Sequence, residues 1–137
     1  CALTADMITG FPGETEADQA AAVAFLEQVG FAAVHVFPYS RRPGTKADAM
    51  PEQLSHAVKS ARAHEAQRVA DACKQRYLVQ QVGQTLPVLF ETEHDGSWVG
   101  HSDNYCLVRA AGDDLRGLVK NVKISAVSGQ MLVGDLV

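Results

Sequence analysis

Cysteine and arginine are the residues that first raise the question of chemistry. The chain has three cysteines, Cys1, Cys73 and Cys106, far apart and with no C-x-x-C pair among them. That number and spacing argue against a disulfide framework and against a zinc site. His35, His56, His64 and His94 show no ligand-like spacing either, so no metal role is expected for any of them. Arg41 and Arg42 stand side by side after an apolar run. A guanidinium there could hold a carboxylate or a phosphate through paired hydrogen bonds, or the pair could be a solvated loop. Arg41, nearer the run, is the better placed for a small-molecule carboxylate. Gly10 and Gly13 bracket a Phe-Pro turn. Glycine there would let backbone approach a ligand closely, or would only shape the turn.

Charge is segregated along the chain. Residues 1–40 contain five acids and no Lys or Arg, residues 41–76 contain eight bases and four acids, and residues 77–137 contain four bases and seven acids. The overall charge of −4 therefore hides a basic middle third, where contact with a polyanion should concentrate unless that charge is merely the outer face of a solvated helix.

The elements that must position these residues follow from hydrophobic pattern. Ala2–Thr9 reads as a strand broken by Gly10-Phe11-Pro12-Gly13. Thr15 and Asp18 have the spacing of a helix start, and Gly30 ends that helix after about Val29. Ala33–Tyr39 is a second strand, β-branched and aromatic. Strand, helix and strand make one βαβ unit with parallel strands, which cannot by itself cover both faces of its sheet. A long helix is expected from Pro51 to about Leu78. Beyond Gln84 the runs Leu86–Glu91, Trp98–His101, Tyr105–Ala110, Leu118–Val127 and Gln130–Leu136 alternate with turns such as Asp95-Gly96 and Ser128-Gly129. Five short strands suggest a small barrel, since closure removes exposed edges. The fold class is thus α/β over residues 1–79 and all-β over 84–137. The 47% hydrophobic and 20% charged content is globular. No apolar run is long enough to cross a bilayer, and no signal peptide is visible. A reducing, cytoplasmic setting is the default for such cysteine usage. The start, with no initiator Met and an immediate apolar run, reads as a cut through a longer protein.

Three strings carry a resemblance: DMITGFPGET (Asp6–Thr15), HVFPYSRRPGT (His35–Thr45) and GHSDNY (Gly100–Tyr105). In this order they resemble the radical-SAM tRNA methylthiotransferases, which put a methylthio group on a tRNA base or, in one branch, on a ribosomal protein. HVFPYS with GHSDNY looks most like the branch acting on threonylcarbamoyladenosine beside the anticodon. One departure is Gln19, which stands about where that family has an aromatic residue.

The resemblance implies the carboxy-terminal part of a radical-SAM (β/α) barrel followed by an OB-like TRAM barrel that binds RNA. It implies SAM and 4Fe–4S clusters in the full-length protein. None is expected on this piece, which has no C-x-x-x-C-x-x-C loop, no catalytic residue and no activity of its own. By the resemblance, Ile8, Gly10, Phe37, Pro38, Tyr39 and Arg41 would border SAM, at the strand ends where barrel folds keep ligands. On the residues alone, Phe37 could simply be core. Trp98, His101 and Tyr105 could stack on unpaired bases, although Trp98 and Tyr105 could equally fill the barrel. Arg109, Arg116, Lys120 and Lys123 could meet phosphates. Because the barrel is acidic by count, the helix is expected to share that work through Lys59, Arg62, Arg68, Lys74 and Arg76. The partners implied are tRNA, SAM and the rest of the same polypeptide, with no membrane. Two rival readings are a non-catalytic RNA-binding module and a related methylthiotransferase acting on isopentenyladenosine or a ribosomal protein.

Overall fold

Strand β1 (Thr4–Thr9), helix α1 (Glu16–Val29) and strand β2 (Ala33–Pro38) form the βαβ unit in a computed structural model describing residues 1–137. The two strands pair in parallel from Thr4 opposite Ala33 to Thr9 opposite Pro38. Thr15 caps α1 by accepting the Asp18 N–H, and the Asp18 carboxylate accepts the Thr15 N–H in return. Gly30 closes the helix in the left-handed region, where glycine carries no Cβ penalty. Leu26 of α1 and Val34 of β2 are buried with Ala66, Val69, Ala70 and Cys73 of the long helix α2 (His56–Gln81). The small residues of α2 let that helix lie close against α1. The opposite sheet face is open: Ile8 and Phe37 are 56% and 52% exposed.

Helix α2 starts five residues later than Pro51. Glu52 sits at φ 60°, outside helical geometry, and its carbonyl accepts the Gly13 N–H. Gln53 donates to the carbonyls of Ala47 and Met50, so residues 47–53 are held as a loop. Ser55 then accepts the Val58 N–H and starts the helix.

The barrel comprises β3 (Thr85–His94), β4 (Ser97–Ser102), β5 (Leu107–Ala111), β6 (Val119–Ser128) and β7 (Met131–Leu136). It closes in the order β3-β4-β5-β7-β6, the five-stranded barrel expected from the strand spacing. The pairs are antiparallel except β5 with β7. Asp95 and Gly96 both take positive φ, the geometry of a two-residue hairpin turn whose twist matches the flanking strands. Leu86, Val88 and Phe90 point inward at the period of two, meeting Trp98, Val108, Val122, Ile124 and Leu132. Gly100 is required where β3 bulges between Phe90 and Thr92, because a Cβ there would overlap the Leu89 carbonyl.

By contacts the chain forms two compact units, Leu3–Lys74 and Gln75–Val137 with Cys1–Ala2. The break falls inside α2, before the Val79–Gln84 stretch at which the change in sequence texture places it. The reason is that Tyr77 and Leu78, on the last turns of α2, pack into the barrel core. No helix is long and apolar enough to cross a membrane.

Candidate functional site

In the first unit the carboxyl ends of β1 and β2 open onto a depression of about 430 Å³ lined by Ile8, Phe37, Pro38, Tyr39, Ser40, Arg42, Thr45 and Ala47. Four of the six residues expected around a cofactor, Ile8, Phe37, Pro38 and Tyr39, thus come together. The Tyr39 N–H donates to the Thr9 carbonyl at 2.8 Å, extending the strand pairing one step. Its ring meets Phe11 edge-on at 5.3 Å between centroids, and Lys59 Nζ lies 5.6 Å from the ring centre. The Tyr39 hydroxyl is buried and has no hydrogen-bond partner, an uncommon state for a buried polar group.

The other two residues play different parts. Arg41 turns to Asp48, with Nε 2.6 Å from Oδ1 and Nη2 donating to the Asp48 carbonyl at 3.0 Å. That leaves Arg42 as the guanidinium lining the depression. The orientation of Arg41 has a local cause, the carboxylate seven residues downstream, which the adjacency of the two arginines conceals. Gly10 is buried under α2, and a Cβ there would overlap the Lys59 side chain. Its φ of 70° and this close crossing are what demand glycine.

The basic face expected on α2 is smaller than its sequence suggests. Arg62 is turned inward. Its Nη1 reaches Glu14 Oε1 at 2.6 Å and the Glu14 carbonyl at 2.9 Å, and the two side chains are only 12% and 14% exposed. Glu14 Oε1 also accepts the Gly10 N–H at 3.0 Å. Arg62 therefore braces the GFPGET turn and is withdrawn from RNA contact, because a charge so far buried needs its partner. Lys59 is half-buried over Tyr39. Arg68 is exposed. Gln19 is buried and donates to the Arg62 carbonyl and to Glu65, replacing ring packing with a polar tie between α1 and α2.

In the barrel unit the aromatic residues divide. Trp98 is core, 5% exposed, and has no face to offer a base. Its place at the alternate, inward position of β4 is the physical reason. Tyr105 is the reverse case: it lies outside any strand, at φ 62° and 83% exposed. Exposed His101 pairs with Glu91, Nδ1 to Oε2 2.6 Å. Arg109, Arg116, Lys120 and Lys123 are exposed, and Lys123 Nζ donates to the Gly83 carbonyl.

The GHSDNY string also has a structural task that its composition does not reveal. The Ser102 hydroxyl bonds Asn104 Oδ1 at 2.6 Å and accepts the Cys106 N–H at 3.1 Å. Asn104 Nδ2 then donates to Gln81 Oε1 and to the Tyr77 hydroxyl, fastening the turn to the end of α2. Burial raises the Tyr77 hydroxyl above its ordinary value, against the bond from Asn104.

Cys73 is buried in the core of the first unit and Cys106 in that of the barrel, Cys1 is exposed, and no group of His, Cys, Asp or Glu side chains is gathered as metal ligands would be. These residues do not fit an iron–sulfur cluster, which needs several thiolates in one place.

No family model matches the chain. It is 37% identical over 129 residues to the threonylcarbamoyladenosine tRNA methylthiotransferase of Bacillus subtilis, covering 90% of this chain and 29% of that protein. It is 40% identical over 138 residues to the tRNA-2-methylthio-N(6)-dimethylallyladenosine synthase of Maricaulis maris, covering 98% and 30%. The synthase of the same name from Nitratidesulfovibrio vulgaris is 36% identical over 142 residues, covering 97% and 32%. The chain spans about 30% of the length of these relatives. Along nearly all of its own length the chain is homologous to these tRNA methylthiotransferases.

Proposed function

We propose that the chain is the carboxy-terminal portion of a radical-SAM methylthiotransferase that converts threonylcarbamoyladenosine in tRNA, next to the anticodon, to its 2-methylthio form. The observation that carries this reading is the depression at the ends of β1 and β2, present in a chain homologous to these enzymes. Ile8, Phe37 and Pro38 give it apolar surfaces suited to a planar nucleoside. These residues fit the adenosine end of SAM. Bound at a reduced 4Fe–4S cluster, one SAM would supply the 5′-deoxyadenosyl radical, and a second SAM would supply the methyl group. The cluster ligands are assigned to residues outside this chain. Arg42 would hold a carboxylate at the rim, either that of SAM or the threonyl carboxylate of the modified base.

The barrel is read as a TRAM domain that grips tRNA in the cytoplasm. Exposed Arg109, Lys120 and Lys123, with Arg68 on the other unit, would meet phosphates, and Tyr105 and His101 would meet bases. The Maricaulis relative, at 40% identity, supports a second reading in which the substrate is dimethylallyladenosine. Nucleoside mass spectrometry of tRNA from a deletion strain decides between them. Loss of 2-methylthio-threonylcarbamoyladenosine is expected; loss of the dimethylallyl counterpart would move the substrate. Neither nucleoside changing would refute both readings and leave a non-catalytic RNA-binding module or a methylthiotransferase acting on a ribosomal protein.

A further inference from the structure

An aromatic residue at positive φ normally earns its place by packing, yet Tyr105 does not pack. Its backbone is fixed by its own N–H donating to the Ser102 carbonyl at 2.9 Å, inside the turn that Ser102 and Asn104 fasten to α2. The left-handed conformation is unfavourable for a bulky L-residue. The turn thus supports a strained residue in order to hold its ring in solvent. Beside the ring lies a depression of about 340 Å³ lined by Pro87, Leu89, Glu91, His101, Ser102, Asp103, Tyr105 and Val119. Its floor is the outer face of the barrel, where Leu89 stands opposite both His101 and Val119 across neighbouring strands.

We propose that this depression is a stacking site for one unpaired RNA base, and that it selects bases presenting N–H donors. The inference rests on the reading that the barrel binds RNA. The lining contains no Lys or Arg and two carboxylates, Glu91 and Asp103, so phosphate is repelled and the sugar–phosphate strand must run outside it. The apolar floor and the Tyr105 ring suit the flat face of a base. Carboxylates only accept hydrogen bonds. They match the amino groups of adenine and cytosine and the paired N–H donors of guanine. Uracil offers one donor, N3–H, flanked by two carbonyl oxygens that a carboxylate repels, and is disfavoured. His101 engages Glu91 Oε2, which orients that carboxylate and leaves its second oxygen for the base.

The test uses fluorescence anisotropy of labelled hexa-adenylate, hexacytidylate and hexauridylate with the 137-residue chain, and unlabelled tRNA as competitor. Adenylate and cytidylate are expected to bind several-fold tighter than uridylate. Tyr105→Ala should weaken them about tenfold, while Tyr105→Phe, which keeps the ring, should not. Glu91→Gln should narrow the gap between adenylate and uridylate, because an amide can donate as well as accept. Unchanged Trp98 emission checks that each variant is folded. If Tyr105→Ala binds every oligomer and tRNA like the parent, the stacking site is refuted while RNA binding stands. Equal affinity for the three oligomers refutes the base selection. If neither tRNA nor any oligomer binds, the RNA-binding reading itself has failed.

Discussion

Removing the carboxylate of Glu14 should destabilise the first unit more than any surface charge could. Glu14 Oε1 serves two donors, Arg62 Nη1 at 2.6 Å and the Gly10 N–H at 3.0 Å. Glu14→Ala therefore leaves a backbone N–H without its partner inside a buried turn, which costs about 1–3 kcal/mol. It also leaves the Arg62 guanidinium with only the Glu14 carbonyl. Breaking a fully buried pair costs roughly 3–5 kcal/mol. The two side chains keep 12% and 14% of their surface, so water offsets part of that. The two losses overlap, and together they point to about 2–4 kcal/mol for Glu14→Ala. Arg62→Ala should cost somewhat less, since Gly10 keeps its acceptor. In the double variant the stranded partner is gone from both sides, so the coupling energy should be about 1–2 kcal/mol. Urea unfolding followed at 222 nm, where α1 and α2 dominate the signal, gives all four stabilities. A coupling below about 0.5 kcal/mol would mean that the pair acts as an ordinary surface ion pair, and the assignment of Arg62 to bracing the turn would be refuted.

Two further outcomes follow from the barrel. Gly100→Ala places a methyl group into the Leu89 carbonyl at the β3 bulge, which backbone cannot avoid without moving. A loss of about 3 kcal/mol or more is expected, read as an earlier red shift of Trp98 emission in denaturant; an unchanged midpoint would show that the strands can separate freely there. Tyr77 is raised above the tyrosine value of 10.0, burial being the larger cause. The native state therefore holds the neutral phenol that the unfolded chain gives up. Its contribution is complete below pH 10.0 and is lost as pH climbs through the folded value. Tyr77→Phe should remove that alkaline loss of stability while costing about 1 kcal/mol at neutral pH for the Asn104 bond. An alkaline profile identical to the parent would sink the assignment.

Sequence pattern made most of the architecture legible. Local signals with a local cause were enough for the capping box at Thr15 and Asp18, the Gly30 stop and the Asp95-Gly96 turn. They act within a few residues, and tertiary structure did not overrule them. The late start of α2 escaped that reading because its cause is partly distant: Glu52 accepts a hydrogen bond from Gly13, almost forty residues away. The candidate site was half legible. Ile8, Phe37, Pro38 and Tyr39 were grouped by what the family resemblance implies, and parallel pairing brings their two strand ends side by side.

The roles of charged and aromatic side chains were decided only in three dimensions. A sequence counts Arg41 and Arg62 as two cations available to an anion. The fold gives one to Asp48 at the surface and turns the other inward onto Glu14, where a guanidinium largely removed from water needs its carboxylate. It counts Trp98 and Tyr105 as two rings of equal promise. The pleat turns one into the core, while a turn anchored on Tyr77 and Gln81 holds the other in solvent. Residue type and spacing determined which chemistry this chain could carry. Which side chains remain available for it depended on partners brought near by folding.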